Sequence, residues 1–309
     1  MSATRARLIL NPAAGTDQAL GNAEMLNERL AARFGPIEIV LSLAPGDAEA
    51  AARRAVEDGC GMLFVGGGDG TLNEAVNGVA SIQDGLAGVT FGLLPLGTGN
   101  DFAQALGLPA DIEAALEILA RTDAVSVDVG RVNGRCFINV SGGGFIAEVS
   151  EAVTPQLKSI AGRLAYLLGG AQALLDFEPA RMTLHAAPGG ERIEGTVYAF
   201  AACNSRMIGG GRLIAPHAVI DDGLLDFCVI EAMPTLEFVA LLRRVAEGGH
   251  VEDERVRYLR AARATLAFDR PLLVNTDGEV LEARRCDYDI LPGAARFLAG
   301  HAPFAGSGK

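Results

Sequence analysis

The chain has 309 residues, 50% of them hydrophobic and 21% charged, with a net charge of −12 and a mean hydropathy of +0.26. That describes a globular protein of roughly two domains and excludes a disordered or fibrous one. The acidic balance, with no cluster of Lys and Arg and Lys158 the sole lysine before the last residue, excludes nucleic acid as a principal partner. Cys60, Cys136, Cys203, Cys228 and Cys286 are odd in number, far apart and without a CxxC pair, so buried reduced thiols are expected. Met1 to Arg7 lack the apolar core of a signal peptide, and Leu164 to Leu175 is too short to span a bilayer and contains Gly169 and Gly170. The expectation is a cytoplasmic protein without a transmembrane segment, able to meet a membrane peripherally at its inner face through a local basic patch.

Short apolar runs alternate with helix-period stretches over the first 130 residues, the pattern of βαβ units and a mainly parallel sheet. Arg7 to Leu10 is the first predicted strand. Leu20, Ala23, Leu26, Leu30 and Phe34 follow at helical spacing behind a cap at Thr16 and Asp17. Ile37 to Leu41 is a second strand, Asp47 opens a helix reaching about Asp58, and Gly61 to Val65 is a third strand, with helix resuming at Leu72. Thr90 to Leu94 is a further strand, followed by helices at Asp101 to Leu106 and Asp111 to Arg121 and a strand near Val125. From Arg135 the pattern turns to strands: Arg135 to Val140, Met182 to Ala186, Val197 to Cys203, Leu224 to Ile230, Ala264 to Phe268, Leu272 to Asn275 and Asp287 to Leu291. Helical stretches interrupt them at Gly162 to Leu175 and Thr235 to Glu247, and the second half reads as an antiparallel β domain.

The run Gly66-Gly67-Gly68-Asp69-Gly70-Thr71 lies where a buried strand gives way to a helix. Amides point outward there, and the helix dipole favours an anion. Glycines let backbone and phosphate approach closely, while Asp69 can hold Mg²⁺ or order its water shell. A plain strand-to-helix turn is the structural alternative, but three glycines before Asp-Gly-Thr exceed what such a turn requires. Asn11-Pro12-Ala13-Ala14-Gly15 and Pro95-Leu96-Gly97-Thr98-Gly99-Asn100-Asp101 end two other strands at the carboxyl edge where α/β sheets bind ligands. Thr98 can bond a phosphate, whereas Asp101 can equally be a helix cap.

In the second half, Asp221-Asp222-Gly223 and Asn275-Thr276-Asp277-Gly278-Glu279 are hairpin signals first. Two acids at such a hairpin can also face a cleft, one as general base. His185, His217, His250 and His301 have no metal-ligand spacing, and neither a GxSxG elbow nor a GxxxxGK[ST] loop occurs.

In this order, Asn11 to Gly15, Gly66 to Asn73, Pro95 to Phe102, Asp128-Val129-Gly130, Ser141 to Phe145, Asn204 to Pro216, Asp221 to Asp226 and Asp277 to Glu279 resemble the bacterial lipid kinases of the diacylglycerol kinase and sphingosine kinase superfamily. The resemblance implies an α/β plus all-β fold. An N-terminal Rossmann-like, NAD-kinase-like domain of residues 1–130, completed by 293–309, would face a β-sandwich of residues 131–292 for the lipid. It implies ATP on Asn11, Pro12, Ala13, Ala14, Gly15, Ser42, Gly67, Gly68, Asp69, Gly70, Thr71, Asn73 and Thr98. Asp277 would be the base that deprotonates a lipid hydroxyl, with Glu279 supporting it. Asp69, Asp101 and Asp128 would join a Mg²⁺ and water network, and Asp222 would hold a second Mg²⁺ with the carbonyls of Val219 and Leu224. Lys158 and Gly162 match the pattern, while Gln104 departs from it where related sequences usually carry arginine.

The expected activity is ATP-dependent phosphorylation of a lipid such as diacylglycerol or a sphingoid or ceramide lipid at the membrane surface. The apolar stretch Ile160 to Leu175 and the helix from Thr235 are candidates for lining a lipid groove. Two rivals are a nicotinamide dinucleotide kinase, whose Thr-Pro-Thr-Gly-Ser stretch is absent here, and an inactive lipid- or nucleotide-sensing module. Oligomeric state stays open, a homodimer included.

Overall fold

The computed structural model describes residues 5–14, 23–145, 147–148 and 177–300. Its first part is β1 (Arg5–Leu10), α1 (Ala23–Phe34), β2 (Ile37–Leu41), α2 (Asp47–Glu57), β3 (Cys60–Gly67), α3 (Asp69–Ala80), α4 (Gly85–Gly88), β4 (Thr90–Pro95), α5 (Asp101–Ala105), α6 (Ile112–Leu119) and β5 (Ala124–Val132). The alternation forms a parallel sheet in which β1 lies between β2 and β3, and β4 joins β3 on its far side. Register places Leu10 opposite Gly66, and Gly66 opposite Leu94. The loops after β1, β3 and β4 therefore leave the sheet at one level, as expected for a ligand edge. Leu8, Ile9, Phe64, Val65, Leu72, Val76 and Phe91 are fully buried between sheet and helices.

The second part comprises β6 (Arg135–Phe137), β7 (Val140–Gly144), β8 (Ala180–Ala187), β9 (Arg192–Cys203), β10 (Leu225–Glu231), α7 (Thr235–Val245), a short 3-10 helix (Gly249–Glu252), β11 (Val256–Ala261), β12 (Arg263–Thr276) and β13 (Glu279–Leu298). Its strand pairs are antiparallel. Along β9, Phe200 and Ala202 enter one apolar core while Ala199, Ala201 and Cys203 enter another beneath α7. Burial on both faces explains why Val197 to Cys203 reads as an unbroken apolar run. All five cysteines are buried and free.

β13 joins the two parts. Its first half pairs antiparallel with β12, its second half pairs with β5, and Arg296 and Phe297 lie parallel to Thr90 and Phe91 of β4. The buried Phe297 ring stacks on Phe91 at 4.9 Å and meets the edge of Phe102 at 5.2 Å. A strand leaving the second part thus completes the core of the first.

Several boundaries differ from the sequence reading. The helix after the glycine run begins at Asp69 rather than Leu72, leaving Gly68 alone between strand and helix. Arg135 to Val140 is two strands broken at Ile138 and Asn139, while Ala264 to Phe268 and Leu272 to Asn275 belong to one strand with an irregularity between them. β11 escapes pattern reading because Arg257 and Arg260 occupy its outward positions. Gly15, Thr16, Asp17, Leu20, Lys158, the stretch Ile160 to Leu175 with Gly162, and residues 301–309 lie outside the described residues. Among the described residues no helix is long and apolar enough to cross a membrane.

Candidate active site

Three loops converge at the carboxyl edge of the parallel strands. The Asn11 amide donates to the Gly66 carbonyl at 2.8 Å, and its side-chain Nδ2 donates to Thr71 Oγ1 at 3.1 Å. Asn11 Oδ1 accepts the Ala13 amide at 2.9 Å and shapes the turn through Pro12 to Ala14. Gly68 and Gly97 pack backbone to backbone: a Cβ on Gly97 would lie 2.4 Å from the Gly68 Cα. Asn100, at a positive φ of 51°, accepts the Gly97 amide at 2.9 Å and closes that loop on itself. Gly70 in the first turn of α3 has open space where a side chain would stand, and Thr98 is exposed. The edge thus presents exposed main chain at the N-terminus of a twelve-residue helix, a site suited to an anion. Ser42 and Asn73 are buried beside it, and Gln104 donates to the Gly99 carbonyl at 3.2 Å.

The sequence-predicted acids bind main-chain amides. Asp69 accepts the amides of Asp101 at 3.1 Å and Phe102 at 3.0 Å, capping α5. Asp101 reaches into the second part and accepts the amides of Gly210 at 3.0 Å and Gly211 at 2.7 Å. Asp128 accepts those of Gly223 at 2.7 Å and Gly293 at 2.6 Å. Burial pushes the carboxyl pKa of both Asp101 and Asp128 upward, against the pull of these amides. Asp222 accepts the Leu224 amide at 3.0 Å and pairs with the Arg260 guanidinium. The Asp222-Gly223 pair sits at the end of the long connection between the antiparallel neighbours β9 and β10 rather than in a two-residue hairpin turn.

Among the described residues no group of three or more His, Cys, Asp or Glu could hold a metal ion. Both oxygens of Asp69, Asp101 and Asp128 already accept hydrogen bonds, and Asp222 is occupied by an amide and an arginine. One hydrogen bond to each oxygen of Asp101 and Asp128 leaves further lone pairs that could meet a hydrated Mg²⁺, and the same two side chains tie the two parts of the chain together.

The segment Asn275 to Glu279 is a hairpin. Thr276 pairs with Glu279, and the two turn residues have positive φ, 47° at Asp277 and 98° at Gly278, the combination a tight hairpin turn demands. The Asp277 side chain folds back toward the break between β6 and β7. Its Oδ2 accepts the amides of Ile138 at 2.6 Å and Asn139 at 3.0 Å, and its Oδ1 accepts that of Val140 at 2.9 Å. Burial raises its pKa to about 7 despite these three donors, and nearby Asp69 adds to the rise. Glu279 turns the other way, into a forked pair with Arg135 at 2.9 and 2.5 Å.

Asn139 links donor edge and hairpin, and sequence reasoning missed it. Its amide meets Asp277, its Nδ2 donates to Asp69 Oδ1 at 3.2 Å, and its Oδ1 accepts the Ser205 hydroxyl at 2.7 Å. The available signal was an amide side chain inside the apolar run Phe137 to Val140, a position that burial tolerates only with partners.

A glycine-rich strand-to-helix edge, linked through Asp69 and Asn139 to a buried carboxylate, is an arrangement suited to phosphoryl transfer. The sequence pattern of the diacylglycerol kinase catalytic domain matches residues 5–132, and that of the YegS C-terminal NAD kinase beta sandwich-like domain matches residues 139–299. A diacylglycerol kinase of Bacillus subtilis is 31% identical over 276 residues, 89% of each chain. A probable lipid kinase YegS-like protein of Pseudomonas aeruginosa is 36% identical over 279 residues, again 89% of each. The crystal structure of a candidate diacylglycerol kinase from Bacillus anthracis superposes with a TM-score of 0.82 at 26% identity, covering 97% of this chain and 95% of that one. The chain belongs to the diacylglycerol kinase and YegS-like lipid kinase family.

Proposed function

We propose that this protein transfers the γ-phosphoryl group of ATP, taken up as its magnesium complex, to the hydroxyl of a lipid such as diacylglycerol or a sphingoid or ceramide lipid. The observation that carries the reading is the Asp277 carboxylate, held opposite the glycine edge through Asn139 and Asp69. The phosphates would lie along Asn11 to Ala14, Gly67 to Thr71 and Thr98, with Ser42 and Asn73 behind them, where positioning and charge stabilisation do most of the work of phosphoryl transfer. Asp277 Oδ1, with one amide partner against two on Oδ2, keeps a lone pair for the acceptor proton. As the lipid oxygen bonds to the γ-phosphorus, its proton passes to Asp277; the bond from that phosphorus to the β,γ-bridging oxygen breaks, and ADP leaves. A base near 7 is matched to that task.

In this reading residues 1–130 with 293–309 serve the nucleotide and 131–292 serve the lipid, which is met at the inner face of a membrane. The test is transfer from labelled ATP to extracted and defined lipids. Asp277→Asn is expected to lower turnover about 10²- to 10⁴-fold, the usual contribution of a general base, with circular dichroism reporting the fold. Wild-type rates in that variant on the true lipid would sink the assignment.

A further inference from the structure

The Glu279 carboxylate is not directed at the donor edge, and its partner is a residue outside every motif of the family pattern. Arg135 Nε donates to Glu279 Oε2 at 2.9 Å, and Nη2 donates to Glu279 Oε1 at 2.5 Å and to Glu49 Oε2 at 2.6 Å. One guanidinium thus joins the acceptor hairpin to α2 of the first part. The α2 end of this link is stiff: the Glu49 carbonyl lies so close to Gly78 of α3 that a Cβ there would sit 2.1 Å from it. One residue earlier, Asn77 donates to the Cys136 carbonyl at 3.0 Å and accepts the Cys136 amide at 2.9 Å. Helix α3, whose first turn is the Asp69 to Thr71 segment, is therefore fastened to its neighbours at two consecutive residues, to β6 by Asn77 and to α2 by Gly78. β6 leads directly into the three amides that hold Asp277.

We propose that Arg135 is a positioning residue: it sets the Asp277-Gly278-Glu279 hairpin at a fixed distance from the donor edge by clamping Glu279 to Glu49. This inference rests on the lipid-kinase reading above and adds to it the part that aligns base with donor. The side chains of Arg135, Glu49 and Glu279 are 30%, 34% and 42% exposed, and ion pairs at such exposure contribute little to stability. Their value is geometric. The planar fork of arginine fixes the carboxylate in direction as well as distance, which the point charge of lysine does not. Both carboxylates bond the same Nη2, so its removal breaks both links at once and frees the hairpin from α2.

The experiment measures kcat, KM for ATP and melting temperature for Arg135→Ala, Arg135→Lys, Glu279→Ala and the double alanine variant of the full chain. A displacement of about 1 Å lowers turnover about a hundredfold, so Arg135→Ala is expected to lose roughly ten- to hundredfold in kcat. KM for ATP should stay within about threefold, because donor-edge binding is untouched. Lysine should restore only part of the loss. In the Glu279→Ala background, Arg135→Ala should change kcat by less than about twofold, since the clamp is already gone. A general structural defect would instead multiply the two losses and lower the melting temperature. The proposal is overturned if Arg135→Ala retains wild-type kcat, or if the two losses multiply. Should the alanine variant fail to fold, wild-type kcat in Arg135→Lys overturns it equally. A wild-type chain that binds ATP and phosphorylates no lipid hydroxyl removes the functional reading and this inference together; an active chain indifferent to Arg135 removes the inference alone.

Discussion

At the proposed donor edge the groups on offer are main-chain amides at a helix N-terminus, arranged by glycines within a few residues of one another. At the acceptor hairpin the proposed working group is a side-chain carboxylate, gripped by amides 137 to 139 positions away in sequence. The first arrangement is local and tolerates change in neighbouring side chains as long as the backbone can close up. The second is assembled by tertiary contacts and fails when any of three segments shifts. An edge that grips phosphate needs many weak donors, and backbone supplies them; a base needs one group with a tuned proton affinity, and burial among chosen donors supplies that.

The comparison breaks most visibly at Gly97. A methyl there meets the Gly68 Cα at 2.4 Å and Asn100 Oδ1 at 2.9 Å, so Gly97→Ala is expected to force two phosphate loops apart. The expected cost is about 1 to 3 kcal/mol of overpacking, with ATP affinity falling as the loops misalign. Calorimetric titration with ATP checks it; unchanged affinity would mean the two loops do not act as one cradle.

Asn139→Ala tests the link between the two regions. It removes the bonds to Asp69 and Ser205 while leaving the main-chain amide on Asp277. Stability should fall by about 1 to 3 kcal/mol, and turnover should fall more than ATP affinity does. Urea unfolding and steady-state kinetics measure the two quantities separately.

The acceptor side also carries a pH signature that the donor side lacks. Asp277 accepts a proton only when ionised, and its pKa is raised to about 7. Activity at low substrate therefore rises with pH through about 7, and below it kcat/KM should fall about tenfold per pH unit. ATP affinity at the amide edge should be flat over the same window apart from the titration of ATP itself. A limb near pH 4, the ordinary carboxylate range, would show that Asp277 is not the titrating group.

The smallest expected effect is the most specific. A methyl group on Gly70 would have nothing within 4 Å of it, and the residue has no positive φ, so Gly70→Ala should stabilise the helix by about 0.5 to 1 kcal/mol. Any accompanying loss of ATP affinity then reports the ligand's approach to that backbone and nothing else. Thermal melting with and without ATP distinguishes the two.

Much of the donor edge is legible in the sequence because its determinants are contiguous: Gly66 to Thr71 shows as a strand, three glycines and a helix, and parallel pairing of β1, β3 and β4 brings the other loops to it. Even there the pattern places the helix start three residues late, since Asp69, Gly70 and Thr71 have the composition of a turn yet form the first turn of α3, with Gly68 at its N-cap. The hairpin at Asp277 is equally readable as a turn, from Asp-Gly between apolar runs. What that turn holds is not, because Ile138 to Val140 contribute only amides, which leave no mark on residue identity. Glu279 reads as a neighbour of the base, whereas its forked bond goes to Arg135 and through it to Glu49.

By itself, then, the sequence determined a parallel α/β half followed by an antiparallel β half, five buried thiols, and glycine loops suited to an anion, all of which follow from periodicity, local backbone freedom and composition. The tertiary structure decided that β13 returns to complete the first half, that Asp69, Asp101 and Asp128 bind amides of other segments, and that Asp277 is buried enough to titrate near 7. These depend on which distant groups a side chain meets and how far water is excluded, and neither quantity is encoded in a short stretch of chain.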